Sequence, residues 1–347
     1  MRIKKFKRHK NRVFRDQDIR LSKLSQPSDP LEKLNKGINF ELFRGILEEK
    51  LSKLPKAPGS RPPCDYVSMF KILILQRYCH LSDGQVEFQI NDRMSFMHFL
   101  DLTISGDVPD NKMVWSFREQ ITDCSLEKDL FDLFLRELER LNPVVSEGKI
   151  IDAGFIEVPR QRNTREQTNE IKQGEVPEEF EQNPHKLSQE DTGAHRAKKN
   201  SQTFFGYKNH VKQDAKNKLI TKYTVTDAGV YVSNATAPLL DGKDKGKCFY
   251  AESAYTGEPQ EKIIESRKKK NRVCEKGYKN KPLTDEQKAG NGEKSRIRSR
   301  VEHIFGFMEN SMNKMYIQCI GIKRAGTVMG LMNLTYNMFC KIQLDAL

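Results

Sequence analysis

The chain has 347 residues, of which 60 are Lys or Arg and 47 are Asp or Glu, for a formal net charge of +13. This length allows one to three domains, and the excess of positive charge favours an acidic partner, above all nucleic acid. No apolar run approaches the roughly 20 residues that a membrane-spanning helix needs, and no apolar block follows the N-terminal charges, so we expect neither a membrane protein nor a secreted one. The seven cysteines are scattered without a CxxC pair, which argues against a disulfide framework and a structural zinc site and fits a reducing cytoplasm.

The N-terminus is rich in positive charge. Eight of the first 15 residues are Lys or Arg, which predicts a basic, flexible arm that we extend over residues 1–30. Such an arm can touch phosphate or be a solvated tail, and the sequence favours neither. We assign it no site residue.

An all-α N-terminal domain is predicted for residues 31–145. Apolar residues recur at three and four positions from Asn39 to Leu141, which is typical of amphipathic helices. The turn at Ser82-Asp83-Gly84 is compatible with a helix-turn-helix, although any small helical bundle gives the same pattern. Trp115 and Phe117 form either a base-stacking pair or part of the core, and their position on an amphipathic helix favours the core.

A mixed α/β domain is predicted from residue 146 to residue 347, with helices packed on a sheet. It contains an acidic insertion at about 164–200, where residues 166 to 191 carry eight acidic side chains against two Lys; this segment is an insertion or a mobile loop. The predicted strands are Lys149–Val158, a hairpin of Thr203–Lys212 and Leu219–Thr226, Lys247–Glu252 and Arg272–Cys274. The predicted helices are Tyr231–Leu240, Gly257–Arg267, Lys294–Met312 and Gly321–Ile342.

Three carboxylates in this domain need an explanation. Asp152 lies inside an apolar strand, where an unpaired charge is unfavourable, and Glu252 ends a later strand. Glu302 borders the apolar face of a helix, one turn after Arg298, and an ion pair between them is the plain interpretation. Taken separately, Asp152 is an acid in a strand-end turn and Glu302 is one half of a surface ion pair. Taken together in a basic chain, three oxygen ligands suit two Mg²⁺ ions that act on a phosphodiester.

Five segments then carry a resemblance to a known family. The chain resembles bacterial insertion-sequence transposases of the DDE class, in the group typified by insertion sequence 5, from about residue 40 to the C-terminus. The segments that carry it are Ile151-Asp152-Ala153, Glu157 to Asn163, Tyr207-Lys208-Asn209-His210, Tyr250 to Tyr255 and Arg298 to Gly306. The resemblance implies a ribonuclease H-like catalytic domain, preceded by a helical domain that helps to bind the terminal inverted repeats.

The resemblance also implies an activity and its residues. The implied reaction needs Mg²⁺, with Mn²⁺ as a possible substitute: water cuts at the ends of the element, and the freed 3′-hydroxyl attacks target DNA. By position, Asp152, Glu252 and Glu302 would be the catalytic acids and metal ligands. Arg298 would contact phosphate or orient a carboxylate, with Arg300, Lys208 and His210 as further DNA-contact candidates. A homodimer or larger assembly on DNA is implied, in the bacterial cytoplasm at the nucleoid.

The sequence departs from the family pattern at three positions near this site. Glu252 replaces the usual Asp in an Ala-Asp-x-x-Tyr context, Gly154 replaces a Thr, and Val232 stands where the pattern places an Asp. Asp227 is then either a substitute ligand or a turn acid, and the turn is favoured. Because Mg²⁺ tolerates poor octahedral geometry badly, two interpretations stay open. The chain is a transposase, or it is a DNA-binding relic with a disabled site; a structural protein with incidental acids is disfavoured, because all five segments match.

Overall fold

The computed structural model describes residue 22 and residues 29–51, 64–103, 106–141, 148–199, 201–240, 247–278 and 280–346. The basic arm predicted for residues 1–30 lies almost wholly outside these ranges. Within them, no helix is long and apolar enough to cross a membrane.

The N-terminal half is helical, as predicted. The turn between the third and fourth helices is fixed by a capping box, in which Ser82 and Gln85 exchange hydrogen bonds between side chain and backbone. Phe43 and Phe70 pack in the centre of the bundle with ring centroids 4.7 Å apart. The helices are α1 (Pro30–Gly37), α2 (Arg44–Leu51), α3 (Tyr66–Cys79), α4 (Asp83–Asp92), α5 (Met94–Phe99), α6 (Asn111–Asp123) and α7 (Leu126–Leu141).

The core assignment on α6 holds for only one of the two aromatic residues. Phe117 is buried and stacks on Tyr66, with ring centroids 6.2 Å apart. Trp115 is 50% exposed, so the prediction that it belongs to the core is wrong. The helical period explains the difference, because Trp115 lies two residues before Phe117 and therefore points to another side of the helix.

The second half contains a mixed sheet. Its strands are β1 (Gly148–Glu157), β2 (His195–Lys199), β3 (Gln202–Asp214), β4 (Ile220–Asp227), β5 (Cys248–Tyr250) and β6 (Lys270–Asn271). The central strand β1 pairs antiparallel with β3 and parallel with β5, and β5 pairs parallel with β6. On its other edge β3 pairs with β2 and β4, and its pairing with β4 confirms the predicted hairpin. The last strand comes two residues before the predicted Arg272–Cys274.

The acidic insertion is helical and packed. It forms α8 (Arg165–Gln173), α9 (Glu178–Glu181) and α10 (Pro184–Gln189) before the unpredicted strand β2. A capping box between Thr164 and Gln167 starts α8, and the side chains of Ile171 and Phe180 are buried. The mobile-loop interpretation is therefore wrong, because these few apolar residues and the cap anchor the segment.

The remaining helices cover the sheet. They are α11 (Thr236–Leu239), preceded by a 3₁₀ turn, α12 (Glu258–Ser266), α13 (Asp285–Arg298), α14 (Glu302–Asn310) and α15 (Ile322–Asp345). The single helix predicted for Lys294–Met312 is wrong in two ways: α13 begins at Asp285, after a Thr284–Gln287 capping box, and a 3₁₀ turn at Ser299–Val301 separates it from α14. Gly290 and Gly292 weaken the helical pattern in the sequence, which hides the first half of α13.

Helix α15 joins the helical half to the sheet. Asn333 on α15 exchanges hydrogen bonds with Asn209 on β3, and Asn337 binds both backbone groups of Ile220. Facing the other half, Phe339 stacks on Tyr78 of α3 with ring centroids 4.4 Å apart. The helices up to Leu141 and the sheet from Gly148 onward thus contribute to one continuous core.

Candidate active site

Asp152 lies on the central strand, opposite Val211 of β3. Its side chain is 13% exposed, and both carboxylate oxygens have partners. Oδ1 accepts a hydrogen bond from the backbone N–H of Ala153 at 2.8 Å, and Oδ2 accepts one from Arg298 Nη1 at 3.0 Å. Burial raises the pKa of Asp152, against the lowering effect of these two donors, and the charge of Glu252 raises it further.

Glu252 comes two residues after the end of β5, the strand that pairs parallel with β1. The paired residues end at Ile150 and Tyr250, and the charge of Glu252 is close enough to Asp152 to raise the pKa of that carboxyl. Glu252 caps the short 3₁₀ turn Ser253–Tyr255, and its carbonyl accepts a hydrogen bond from the N–H of Tyr255 at 2.9 Å. The first two acids of the predicted set therefore interact electrostatically, one within β1 and the other just after β5.

The Tyr255 side chain is buried between these acids and the core under the sheet. It is 1% exposed, and its hydroxyl has no hydrogen-bond partner among the residues that the structure describes. Burial, together with the charges of Asp152 and Glu252, raises the pKa of Tyr255 well above its ordinary value. This residue stands in a motif that the sequence singles out, but the motif gave no signal that its buried hydroxyl is within electrostatic reach of the two acids.

Glu302 comes after the break between α13 and α14. The buried side chains of Val301, Ile304 and Met308 hold this segment on the sheet, as predicted. Glu302 itself is 66% exposed, and its Oε1 lies 3.6 Å from Arg298 Nη2. The guanidinium of Arg298 therefore links the third acid to Asp152.

The three acids suit a divalent cation in their chemistry, while their arrangement is open. Carboxylate oxygens are the ligands that Mg²⁺ and Mn²⁺ prefer, and the guanidinium of Arg298 already stands as a cation between Asp152 and Glu302. Across the part of the chain that the structure describes, no group of three or more His, Cys, Asp or Glu residues is close enough to hold a metal ion. The donor set therefore fits a divalent cation by its chemistry, and Arg298 stands between two of the three donors.

The predicted DNA-contact residues divide into two pairs. Arg298 and Arg300 lie at the end of α13 and in the following turn, and the Nη1 of the exposed Arg300 donates to the carbonyl of Ala215 at 2.7 Å. Lys208 and His210 are buried on β3, at 7% and 0% exposure. Neither of these two is presented on the surface, so they are not part of the DNA contacts proposed below.

Lys208 and His210 have internal partners instead. Lys208 Nζ donates to the carbonyl of Val230 at 2.6 Å and lies 5.3 Å from the centroid of the Phe155 ring. His210 Nε2 lies 2.9 Å from Thr226 Oγ1, and burial lowers the pKa of His210 to about 4. Both side chains therefore stabilise the hairpin, and the sequence motif that contains them is structural in this chain.

The structure explains the departure at Gly154 and the role of Asp227. A Cβ atom on Gly154 would lie 2.6 Å from two atoms of the Phe305 ring, so this position has no room for the usual Thr. Asp227 Oδ1 accepts a hydrogen bond from the N–H of Gly229 at 2.8 Å and lies 2.8 Å from His195 Nδ1. Asp227 is thus a turn acid, as favoured, and does not replace the missing ligand.

Comparison with known families identifies the chain. The family "Transposase DDE domain" matches residues 145–338, which is more than half of the sequence and contains all three acids. The chain belongs to the DDE transposase family. The family "Transposase domain (DUF772)" matches residues 19–120.

The DDE domain is ribonuclease H-like, in agreement with the mixed sheet and packed helices described above. The family comprises DNA-cleaving and DNA-transferring enzymes that use divalent metal ions. One solved structure that is similar to this chain is a cryo-EM structure of the piggyBac transposase synaptic complex with hairpin DNA. Its TM-score is 0.42 at 12% identity, over 92% of this chain and 76% of that one.

Proposed function

We propose that this transposase belongs to the insertion-sequence group typified by insertion sequence 5, binds terminal inverted repeats and catalyses metal-dependent strand cleavage and strand transfer. The observation that carries the proposal is the electrostatic interaction of Glu252, which follows β5, with Asp152 on the neighbouring strand β1. Arg298 links Glu302 to Asp152. These contacts support a single site formed by the three acids.

In this proposal Asp152, Glu252 and Glu302 hold Mg²⁺, with Mn²⁺ as a substitute. Divalent ions supply electrostatic stabilisation for the charge that develops on phosphate oxygens during strand cleavage. The backbone N–H of Ala153 fixes the orientation of the Asp152 carboxylate. Arg298 and Arg300 contribute positive charge for DNA phosphates at the mouth of the site.

The proposal also assigns a role to each half of the chain and an assembly on DNA. The helical segment 31–145 helps to bind DNA ends, the domain from 146 to 347 performs catalysis, and a homodimer or larger assembly bridges two ends at the bacterial nucleoid. The net charge of +13 supports a DNA partner, because cationic side chains that replace condensed counterions make binding favourable and salt-dependent.

The second candidate is a DNA-binding relic of such an enzyme. Two observations favour it: Glu252 carries one methylene more than the usual Asp, and the described acids are not gathered into a metal cage. A longer ligand must bend back or shift an ion, and Mg²⁺ tolerates such distortion poorly. This candidate keeps DNA binding and loses cleavage.

Strand cleavage tests the two candidates. A plasmid that carries the DNA flanking the gene is incubated with the native chain, Glu302→Gln and the matched control Glu309→Gln, an exposed residue on the same helix. Cleavage by the native chain and by Glu309→Gln, with loss in Glu302→Gln and retained DNA binding, supports the enzyme. DNA binding without cleavage by the native chain, in Mg²⁺ and in Mn²⁺, supports the relic, and absence of DNA binding contradicts both.

A further inference from the structure

The guanidinium of Arg298 lies between two of the three acids. Nη1 is 3.0 Å from Asp152 Oδ2, and Nη2 is 3.6 Å from Glu302 Oε1. The Arg298 side chain is 19% exposed, compared with 13% for Asp152. This ion pair is therefore shielded from solvent at its Asp152 end, where an unpaired carboxylate would be unfavourable.

The same contact uses the part of Asp152 that a metal ion needs. Each oxygen of Asp152 accepts one hydrogen bond, Oδ1 from the N–H of Ala153 and Oδ2 from Arg298, so the Arg298 contact uses a lone pair that a metal ion would need. The other nitrogen of the same guanidinium lies 3.6 Å from Oε1 of Glu302, whose side chain is 66% exposed. A divalent cation and the guanidinium thus compete for the same two carboxylates.

We propose that Arg298 is a positioning residue that competes with a divalent cation for Asp152 and Glu302, and that it has to leave Asp152 before a metal ion binds there. This inference rests on the metal site of the proposed function. It accounts for the open arrangement of the acids, because a planar guanidinium is larger than a metal ion and keeps Glu302 at a distance. Metal binding then draws the acids together and releases Arg298 from Asp152.

Competition between Arg298 and a metal ion should be measurable as a change in metal affinity. A site whose open form is about one tenth of the population binds its ligand about tenfold more weakly than the open form does. Removing the guanidinium should therefore tighten metal binding by about that factor, whereas removal of a merely supporting residue would weaken it. The sign of the change separates the two roles.

Measuring Mn²⁺ binding in the absence of DNA shows whether removal of Arg298 raises or lowers the affinity for the metal. The dissociation constant is measured from the electron paramagnetic resonance signal of free Mn²⁺, for the native chain, Arg298→Gln and Arg296→Gln. Arg296 lies on the same helix and is exposed, so its substitution controls for the loss of one positive charge. We expect about tenfold tighter binding in Arg298→Gln and native binding in Arg296→Gln. Equal or weaker binding in Arg298→Gln, or no binding by any of the three chains, overturns the inference.

A measurement on the native chain covers the case in which Arg298→Gln fails to fold. Phenylglyoxal modifies accessible arginines, and mass spectrometry of peptides gives the rate at Arg298 with and without Mn²⁺. Arg324, which is paired with Glu119 on α6, is the internal control in the same sample. Mn²⁺ should speed modification of Arg298 and leave Arg324 unchanged, and an unchanged or slower rate at Arg298 contradicts the inference.

These tests separate the inference from the proposed function. If Mn²⁺ affinity does not respond to Arg298→Gln while the native chain cleaves DNA, the inference fails and the function stands. If Arg298→Gln binds Mn²⁺ more tightly while no chain cleaves DNA, the inference stands and the relic is the better description.

Discussion

The ring of Phe305 on α14 packs directly against Gly154 on β1. A Cβ atom on Gly154 would lie 2.6 Å from two ring atoms of Phe305 and 2.8 Å from Cε of Met315. The aromatic side chain fills the space that a Thr would need. The departure from the family pattern at Gly154 is thus matched by a neighbour 151 residues further along the sequence and is a packing solution. It gives no sign of a decayed site.

Substitution of Gly154 by Thr should therefore destabilise the chain, because the Phe305 ring has to move. We expect a loss of about 1 to 3 kcal/mol in the free energy of unfolding, measured by urea denaturation. Gly306→Ala on α14 is the control, because nothing lies within 4 Å of its added Cβ and helical Ala is favoured over Gly. Combining Gly154→Thr with Phe305→Ala should recover part of the loss, and equal stability of Gly154→Thr and the native chain would contradict the packing argument.

The identity of the second acid should set the metal preference. Glu252 is one methylene longer than the usual Asp, and Mn²⁺ accepts distorted ligand geometry more readily than Mg²⁺ does. We expect the native chain to cleave DNA faster in Mn²⁺ than in Mg²⁺, and Glu252→Asp to raise the Mg²⁺ rate by about tenfold or more, in line with the precision that metal sites require. The measurement is the ratio of cleavage rates in the two ions, and a ratio unchanged by the substitution would argue against Glu252 as a ligand.

The buried imidazole of His210 should make stability depend on pH. Its folded pKa of about 4 lies below the unfolded value near 6.5, so the neutral form is favoured in the folded chain. The unfolded chain binds more protons in this window, so stability is complete above the unfolded pKa and is lost as pH falls toward 4. Between pH 7 and pH 5 we expect a loss of about 2 kcal/mol from this residue.

The His210→Gln variant isolates this contribution. Gln stays uncharged over the whole range, so the variant should lose less stability than the native chain between the two pH values, although its stability at neutral pH will differ. Urea midpoints at both pH values give the comparison. Parallel pH profiles for the two chains would show that His210 does not carry the effect.

Phe117 and Trp115 on α6 differ in burial, so their replacement by Ala should lower the free energy of unfolding by different amounts. Phe117 is buried and stacked on Tyr66, so Phe117→Ala should lower the free energy of unfolding by about 3 to 5 kcal/mol. Trp115 is half exposed, so Trp115→Ala should cost well under half of that, about 1 kcal/mol. Thermal or urea denaturation measures both, and a larger loss for Trp115→Ala would restore the original core assignment.

The sequence by itself determined the family, predicted the helical first half and the hairpin, and singled out Asp152, Glu252 and Glu302 as candidate acids. These features are local or periodic: the apolar spacing from Asn39 to Leu141, the strand around Asp152 and the hairpin each depend on neighbours within about ten residues. Asp152 was also recognisable alone, because a carboxylate inside an apolar strand needs a partner. The errors fell where a local pattern is weak, as at the start of α13, where two glycines interrupt a helix that a Thr284 cap begins.

Only the tertiary structure decided how the site is assembled. The pairing of β1 with β5 joins segments about 100 residues apart and brings Glu252 close enough to Asp152 to affect its pKa, and no spacing in the sequence encodes this pairing. Arg298 lies one turn before Glu302, so the sequence predicts an ion pair between these two residues. In the structure its shorter contact is with Asp152, with a nitrogen–oxygen distance of 3.0 Å compared with 3.6 Å to Glu302. The physical reason is burial: the shielded carboxylate of Asp152 gains more from a counterion than the solvated Glu302 does.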